Sequence, residues 1–273
     1  MKQDCLDRSS MRLDAATLAE QVAKVDVRAI ARVMSLIENR DPVGTAVLAQ
    51  LTPSRAQASV IGITGYPGTG KSTLIDQLIT AYRRLGQKVG VLAVDISSPI
   101  TGGAVLGDRI RMQQHADDPK VFIRSMATRG HQGGLAHATG EALRVLEAAA
   151  YDMILIETVG VGQNELDIVQ IAPIVVAVVA PGLGDEIQAM KAGLLEVADI
   201  VVMNKGDHEG ADRTMRDLQA QCRMVLRTVA HRGEGILELI AVIAEYRRIQ
   251  DLNGSRCGKT TERLVQRGST NGS

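Results

Sequence analysis

A glycine-rich segment between an apolar run and a helical pattern limits the fold of this chain more than any other feature. It reads GYPGTGKST over residues 65–73, with the spacing Gly65-x4-Gly70-Lys71-Ser72. The glycines allow successive backbone N–H groups to converge on phosphate oxygens, beside the positive N-terminus of the next helix. A surface turn could use the glycines, but it would not need a lysine and a serine at these offsets. The segment is therefore predicted to be a phosphate-binding loop.

Each position of this loop has a predicted part in binding a nucleotide. Lys71 supplies a charge to the β- and γ-phosphates, and the hydroxyl of Ser72 lies where Mg²⁺ binds. The nucleotide-binding residues predicted here are Gly65, Tyr66, Pro67, Gly68, Thr69, Gly70, Lys71, Ser72 and Thr73.

Apolar strands alternate with helical patterns after residue 57. Before it, the pattern is helical from about Leu13 to Leu51, with a break from Asn39 to Pro42 and a second short helix after the break. Near-continuous apolar strands between helices favour a parallel sheet that is covered on both faces. The predicted fold is α/β, that of a P-loop NTPase with a mostly parallel β-sheet and an N-terminal helical extension. The predicted strands are 59–64, 88–95, 121–124, 153–157, 174–180, 200–203 and 225–230, and the predicted helices after residue 57 include 71–85, 134–150 and 236–249. Further helices are expected from Asp185 and from Glu209.

Two acidic residues end predicted strands, at the edge of the sheet where ligands of such folds bind. Asp95 ends VLAVD, and it could hold Mg²⁺ through water, orient the attacking water, or cap the turn that follows. Glu157 ends MILIE, and Gly160 follows it in ETVG. This arrangement matches a Walker B element, in which the acid polarises a metal-bound water and the glycine N–H contacts the γ-phosphate.

The segment NKGD, with Asn204, Lys205 and Asp207, follows another predicted strand. The carboxylate of Asp207 can accept from N1–H and N2–H₂ of guanine, whereas adenine presents an acceptor at N1. An N-K-x-D segment is a weak signal alone, but behind a P-loop and ETVG it indicates guanine recognition. Val229 and Ala230 are predicted to back the base, although Val229 stands where a Ser or Cys is usual.

A charged segment of about residues 100–136 separates the second strand from the Glu157 strand. One interpretation is a solvated loop with salt bridges, and the other is a mobile switch region that contacts nucleotide or a partner. Its charged residues include Asp108, Arg109, Arg111, Arg124, Arg129 and His131.

Composition excludes several function classes. The chain has 31 basic and 31 acidic residues and only 2% aromatic residues, which argues against a nucleic-acid partner. Its three cysteines are far apart, which favours a reducing compartment without a disulfide framework. No apolar run approaches the ~18 residues that a membrane-spanning helix needs. A cytoplasmic location without a membrane partner is expected.

The motifs together resemble the MeaB/ArgK family of P-loop GTPases, over about residues 17–249. The segments that carry the resemblance are LAEQVAKVDVRAIARVMSLIE, GYPGTGKST, VDISSPITGGAVLGDRIRM, FIRSMATRGHQGGLA, ETVGVGQNE, APGLGDEIQAMKAGLLEVAD and NKGD. The resemblance implies a GTPase that guards an adenosylcobalamin-dependent mutase, usually methylmalonyl-CoA mutase. Such a protein gates cofactor loading and rescues the inactivated enzyme.

The resemblance also implies roles for individual residues. It places Lys71 and Ser72 at the phosphates and Mg²⁺, and it places Asn204 and Asp207 at guanine. Three acidic residues are placed at the metal and water region: Asp95, Asp108 and Glu157. Asp95 is the predicted residue that orients the attacking water, with Gln163 as the alternative. Hydrolysis is expected to be slow without a partner, because no arginine is obviously placed as a finger.

Three alternatives for the function stay open. A GTPase that delivers nickel would need a Cys/His metal site, and none is apparent. An ATP-dependent kinase linked to amino-acid transport is disfavoured by Asp207. The third is a nucleotide-dependent adaptor with negligible turnover, for which only the conformational switch on nucleotide binding would matter.

The domain boundaries predicted from these patterns are a helical extension over 1–56, a GTPase domain over 57–249 and a disordered tail over 250–273. Family members that resemble this chain dimerise through a helical arm beyond the GTPase core. Here the helical pattern stops near Ile249, and the sizeable apolar residues beyond it are Leu252, Leu264 and Val265. A lasting interface needs more apolar area than these supply, so a monomer or weak homodimer is expected.

Overall fold

The computed structural model of the chain describes residues 14–52, 58–95, 113–115, 117–127, 134–158, 164–182 and 194–252. Two predicted site residues, Asp108 and Gln163, lie outside these ranges. The same holds for Gly160, for most of the charged segment, for the start of the helix expected from Asp185 and for the tail from residue 253 onward.

The elements follow the predicted alternation of strands and helices. The helices are α1 (14–23), α2 (Val27–Glu38), α3 (Pro42–Leu48), α4 (Lys71–Arg84), α5 (Gly134–Ala148), α6 (Asn164–Ile171), α7 (Leu194–Val197), α8 (Ala211–Gln219) and α9 (Ile236–Leu252). The strands are β1 (Ser59–Thr64), β2 (Val89–Asp95), β3 (Val121–Ala127), β4 (Met153–Glu157), β5 (Ile174–Val179), β6 (Ile200–Met203) and β7 (Val225–Arg227). Two short 3₁₀ turns cover Gln113–His115 and Ala230–Arg232.

The seven strands lie in the order β3-β2-β4-β1-β5-β6-β7, and their pairings are parallel. Strands β1, β4, β5 and β6 are buried at every position, as expected for a sheet covered on both faces. The predicted α/β fold with a parallel sheet is confirmed. None of the described helices is long and apolar enough to cross a membrane.

The chain divides into two compact units. One consists of residues 1–60 and 79–157, and the other of residues 61–78 and 158–273. The N-terminal helices α1 to α3 thus belong to the same unit as β2, β3 and β4. The phosphate-loop segment and the strands β5 to β7 belong to the other unit.

In the first unit, α2 is an amphipathic helix. The side chain of Asp26 caps its start by accepting from Ala29 N at 2.8 Å. The apolar face packs against α3 and α5, and it buries Ala29, Ile30, Val33, Met34 and Ile37.

Several boundaries differ from the sequence-based prediction, and β7 ends at Arg227 rather than at residue 230. The N-terminal helical pattern is interrupted at residues 24–26, where Val25 has a φ of +62° and Asp26 begins a new capped helix. Strand β3 runs to Ala127 rather than ending after VFIR, because it pairs with β2 along its whole length. Helix α9 continues to Leu252, three residues beyond the expected end at Ile249.

A partly buried ion pair connects α2 to β3 in this unit. The guanidinium of Arg124 contacts the carboxylate of Glu38, and the two side chains are only 18% and 14% exposed. The same guanidinium donates to Ser35 Oγ at 3.1 Å and to Ala31 O at 3.5 Å. Since a charge left in this environment without its partner is costly, the pair holds the helix in one position on the strand.

In the second unit, α9 packs on β5, and its buried residues are Ile236, Leu239 and Ile243. A cluster of buried side chains covers β5 and β6 on the side of α8. Tyr66 of the phosphate-loop segment packs against this cluster. The apolar core of the unit therefore extends to the beginning of the glycine-rich loop.

The Glu38→Ala variant should lower the free energy of unfolding by about 2–3 kcal/mol, because it leaves the Arg124 guanidinium partly buried without its carboxylate. Urea denaturation followed by circular dichroism measures the change. The control is Glu20→Ala, whose carboxylate pairs with Lys24 at 2.7 Å between side chains that are about 70% exposed. That change should cost less than about 1 kcal/mol. Equal losses of stability in the two variants would contradict the importance assigned to the pair of Glu38 and Arg124.

Candidate functional site

The loop between β1 and α4 has a backbone that only glycine accommodates at two positions. Gly65 has a φ of +137°, and a Cβ there would lie 2.1 Å from the carbonyl oxygen of Val178. Gly70 has a φ of +94°, and a Cβ there would lie 2.4 Å from Asn204 Nδ2. Both positions therefore combine left-handed backbone with a close approach of the neighbouring strand or loop.

The loop closes around the ammonium group of Lys71. Lys71 Nζ donates to the carbonyl oxygens of Gly65 at 2.7 Å and Tyr66 at 3.2 Å, and the residue is 7% exposed. Thr69 Oγ1 also donates to Tyr66 O, at 2.9 Å. A fixed positive charge inside a curled backbone, at the first residue of a helix, can bind phosphate oxygens.

Asn204, at the end of β6, ties this loop to two other segments. Its Nδ2 donates to Thr69 O at 2.9 Å, while its Oδ1 accepts from Thr228 Oγ1 at 3.1 Å and from Ala230 N at 3.0 Å. Asn204 is 2% exposed, so both ends of its amide are used in a buried environment. The phosphate-loop segment, the NKGD loop and the loop after β7 are thereby held in one arrangement.

The carboxylate of Asp207 lies on the exposed side of the NKGD loop. Its side chain is 21% exposed, and its Oδ2 lies 3.4 Å from Arg232 Nη2 and 3.7 Å from His231 Nε2. The preceding Lys205 has a φ of +56°, which turns the loop between Asn204 and Asp207. Since a carboxylate accepts on both oxygens, this group can pair with two adjacent N–H donors of a base.

The backbone of the NKGD loop is fixed by Arg227 of β7. Its Nη1 donates to Asp212 Oδ1 at 2.6 Å, and its Nη2 donates to the carbonyl oxygen of Gly206. Gly206 N in turn donates to Thr228 O at 2.9 Å. A Cβ on Gly206 would lie 2.6 Å from Arg227 Nε, which explains the glycine at this position.

The acidic residues predicted for the metal region end strands of the first unit. Asp95 is the last residue of β2, and Glu157 is the last residue of β4, where it is 3% exposed. Thr158 follows Glu157 and donates its N–H to Ile63 O at 3.0 Å. Among the described residues, the buried hydroxyls of Thr64 and Thr158 have no hydrogen-bond partner.

Sequence reasoning placed Val229 and Ala230 at the base. The structure shows that both are buried and that Ala230 N already bonds to Asn204. Sequence reasoning missed Arg227, Thr228 and Arg232. The segment LRTVAHR signals polar residues after a strand, but no pattern in it says which of them contact the NKGD loop. Within the described residues, no group of three or more His, Cys, Asp or Glu side chains could hold a metal ion.

A glycine-rich phosphate loop tied by an asparagine to an N-K-x-D loop, on a parallel sheet, defines a P-loop GTPase. The chain belongs to the family described as methylmalonyl Co-A mutase-associated GTPase MeaB, whose sequence model matches residues 30–270. The resemblance stated from the motifs is confirmed.

Individual relatives agree with this family. A putative GTPase of Pyrococcus horikoshii is 47% identical over 262 residues, which cover 91% of this chain and 83% of the relative. The mitochondrial methylmalonic aciduria type A homolog of Mus musculus is 36% identical over 213 residues, which cover 73% of this chain and 51% of the relative. Among solved structures, the crystal structure of a LAO/AO transport system kinase has a TM-score of 0.72 and 26% identity, with 92% of this chain and 81% of that chain covered.

Asn204→Asp should weaken guanine nucleotide binding by roughly tenfold to a hundredfold. The change keeps an acceptor for Thr228 and Ala230, but it places an oxygen against the carbonyl of Thr69, where Nδ2 now donates. Titration of a fluorescent GDP analogue measures the dissociation constant. Thr228→Val serves as the matched control, because it removes one bond to Oδ1 and keeps the tie to the phosphate loop. Equal losses in both variants would show that the Thr69 contact has no special importance.

Proposed function

We propose that this GTPase regulates an adenosylcobalamin-dependent acyl-CoA mutase of the methylmalonyl-CoA mutase type. It gates the loading of the cofactor and protects or reactivates the mutase. The observation that carries this proposal is the family match over residues 30–270, since the family is described by its association with that mutase. The name of the mouse relative gives further support.

The proposed nucleotide site combines the loop around Lys71 with the NKGD loop. Lys71 exchanges its contacts with Gly65 O and Tyr66 O for phosphate oxygens, and the N-terminus of α4 adds the partial charge of its backbone N–H groups. Asp207 accepts from the guanine N1–H and N2–H₂ groups, and the stem of Lys205 lies over the base. Asn204 sets the distance between these two parts, because it bonds to Thr69 and neighbours Lys205 in sequence.

The residues proposed for Mg²⁺ fit that ion by their chemistry. Mg²⁺ takes oxygen ligands and keeps several waters, and Ser72 and Glu157 offer a hydroxyl and a carboxylate that are largely buried. The buried hydroxyls of Thr64 and Thr158 have capacity for hydrogen bonds to such waters. When bound, the ion neutralises charge on the β- and γ-phosphate oxygens. Asp95 and Asp108 complete the proposed set.

Asp95 is the proposed residue that orients the attacking water, with Gln163 as the alternative. The mutase supplies the remaining stabilisation of the transition state, so hydrolysis by the protein alone is slow. A kinase linked to transport, the name of the solved relative, would not need an aspartate that selects guanine. The protein is proposed to act as a monomer or weak homodimer.

Asp207→Asn should reduce the preference for GTP over XTP by at least about tenfold, because one acceptor oxygen becomes a donor that faces the donors of guanine. Competition binding with GTP, XTP and ATP measures the preference. A variant that prefers GTP as strongly as the unchanged protein would exclude Asp207 from base recognition.

GTP hydrolysis should accelerate by at least about tenfold when a methylmalonyl-CoA mutase is added, if the mutase completes the active site. Phosphate release with and without the mutase measures this, and a pull-down with a non-hydrolysable GTP analogue tests the complex. Lys71→Ala should abolish both the stimulated hydrolysis and the complex. Lys120→Ala, which changes an exposed residue directly before β3, should leave both intact. Absence of both stimulation and complex would refute the proposed partner.

A further inference from the structure

We propose that Arg232 is a positioning residue for guanine recognition, which holds the carboxylate of Asp207 in the orientation that pairs with the base. The inference rests on the proposed role of Asp207. It adds a residue to which neither the motifs nor the family resemblance assigned a part.

The contact arises from a single short turn. The 3₁₀ turn Ala230–Arg232 follows β7, and its first residue donates its N–H to Asn204 Oδ1 at 3.0 Å. Its last residue places Arg232 Nη2 3.4 Å from Asp207 Oδ2. One turn therefore contacts two polar side chains of the NKGD loop, those of Asn204 and Asp207, so the positions of the turn and the loop are coupled.

The carboxylate keeps capacity for the base. The shortest approaches of Arg232 and His231 to Asp207 are both to Oδ2, at 3.4 Å and 3.7 Å. Each carboxylate oxygen has two acceptor sites, so the group can accept from a cation and from two adjacent donors of guanine at the same time. The cationic contact can thus orient the carboxylate while the base pairs with it.

The orientation of the Asp207 side chain depends on this turn, whereas the backbone of the NKGD loop is held by other contacts. Arg227 and Thr228 hold Gly206 through its carbonyl oxygen and its N–H, independently of Arg232. Val229 is buried and has no hydroxyl to offer. Loss of Arg232 should therefore release the carboxylate while the backbone stays in place.

A purely structural surface pair would behave differently. Arg232 has a side chain that is 56% exposed and lies 3.9 Å from Glu234 Oε1 as well, so its removal should hardly change stability. Its removal should instead lower the selectivity for guanine. A loss of selectivity without a loss of stability distinguishes a positioning role from a general contribution to folding.

The test is Arg232→Ala, with calorimetric titration of GDP and of inosine diphosphate, which lacks the N2 amino group. GDP affinity and the preference for GDP over inosine diphosphate should both fall by about twofold to fivefold, a change typical of an ion pair near the surface. Arg232→Lys should recover part of the preference. Arg248→Ala is the matched control, because it removes another exposed arginine that pairs with a carboxylate, that of Glu245 at 2.7 Å. An unchanged or increased GDP preference in Arg232→Ala would overturn the inference.

Asp207→Asn separates this inference from the proposed function. If Asp207→Asn loses the preference and Arg232→Ala keeps it, only the role of Arg232 is wrong. If Asp207→Asn keeps the preference, the base-recognition role of Asp207 is wrong and that of Arg232 falls with it. In the double variant, Arg232→Ala should add no further loss, since it acts through the carboxylate.

Discussion

The buried amide of Asn204 is the interaction on which the candidate site depends. An asparagine amide has a donor end and an acceptor end, and here the two ends serve different segments of the chain. The donor holds Thr69 of the phosphate loop, and the acceptor holds Thr228 and Ala230 after β7. Loops that are far apart in sequence are thus held together by one side chain that is only 2% exposed.

Sequence reasoning predicted the sheet and the motif residues because both follow from local rules. Near-continuous apolar runs identified the strands, and the glycines of residues 65–70 matched a backbone that needs φ above zero. The break at Val25 was missed, because the apolar periodicity continues across it. The length of β3 was underestimated, since it is set by pairing with β2 rather than by the composition of the strand itself.

The contacts that the candidate site residues make were less predictable than the identity of those residues. Asp207 was predicted as a site residue from the N-K-x-D spacing. Its contact with Arg232 depends on a turn about 25 residues further along the chain. An exposed arginine after a strand has many possible partners, and only the three-dimensional arrangement selects one. The same holds for Arg227, whose contact with Gly206 leaves no trace in the spacing of the motif.

Gly206 and Arg227 illustrate how such a contact restricts change in the chain. The Arg227 side chain lies so close to Gly206 that a Cβ there would be 2.6 Å from Nε. The guanidinium also donates a hydrogen bond to the carbonyl oxygen of Gly206. A larger residue at position 206 would therefore displace the Arg227 side chain, which is 45% exposed and can move toward solvent. That displacement would give up the bonds to Asp212 and to the carbonyl oxygen of Gly206. A change at position 206 thus reaches the loop backbone through the arginine that holds it.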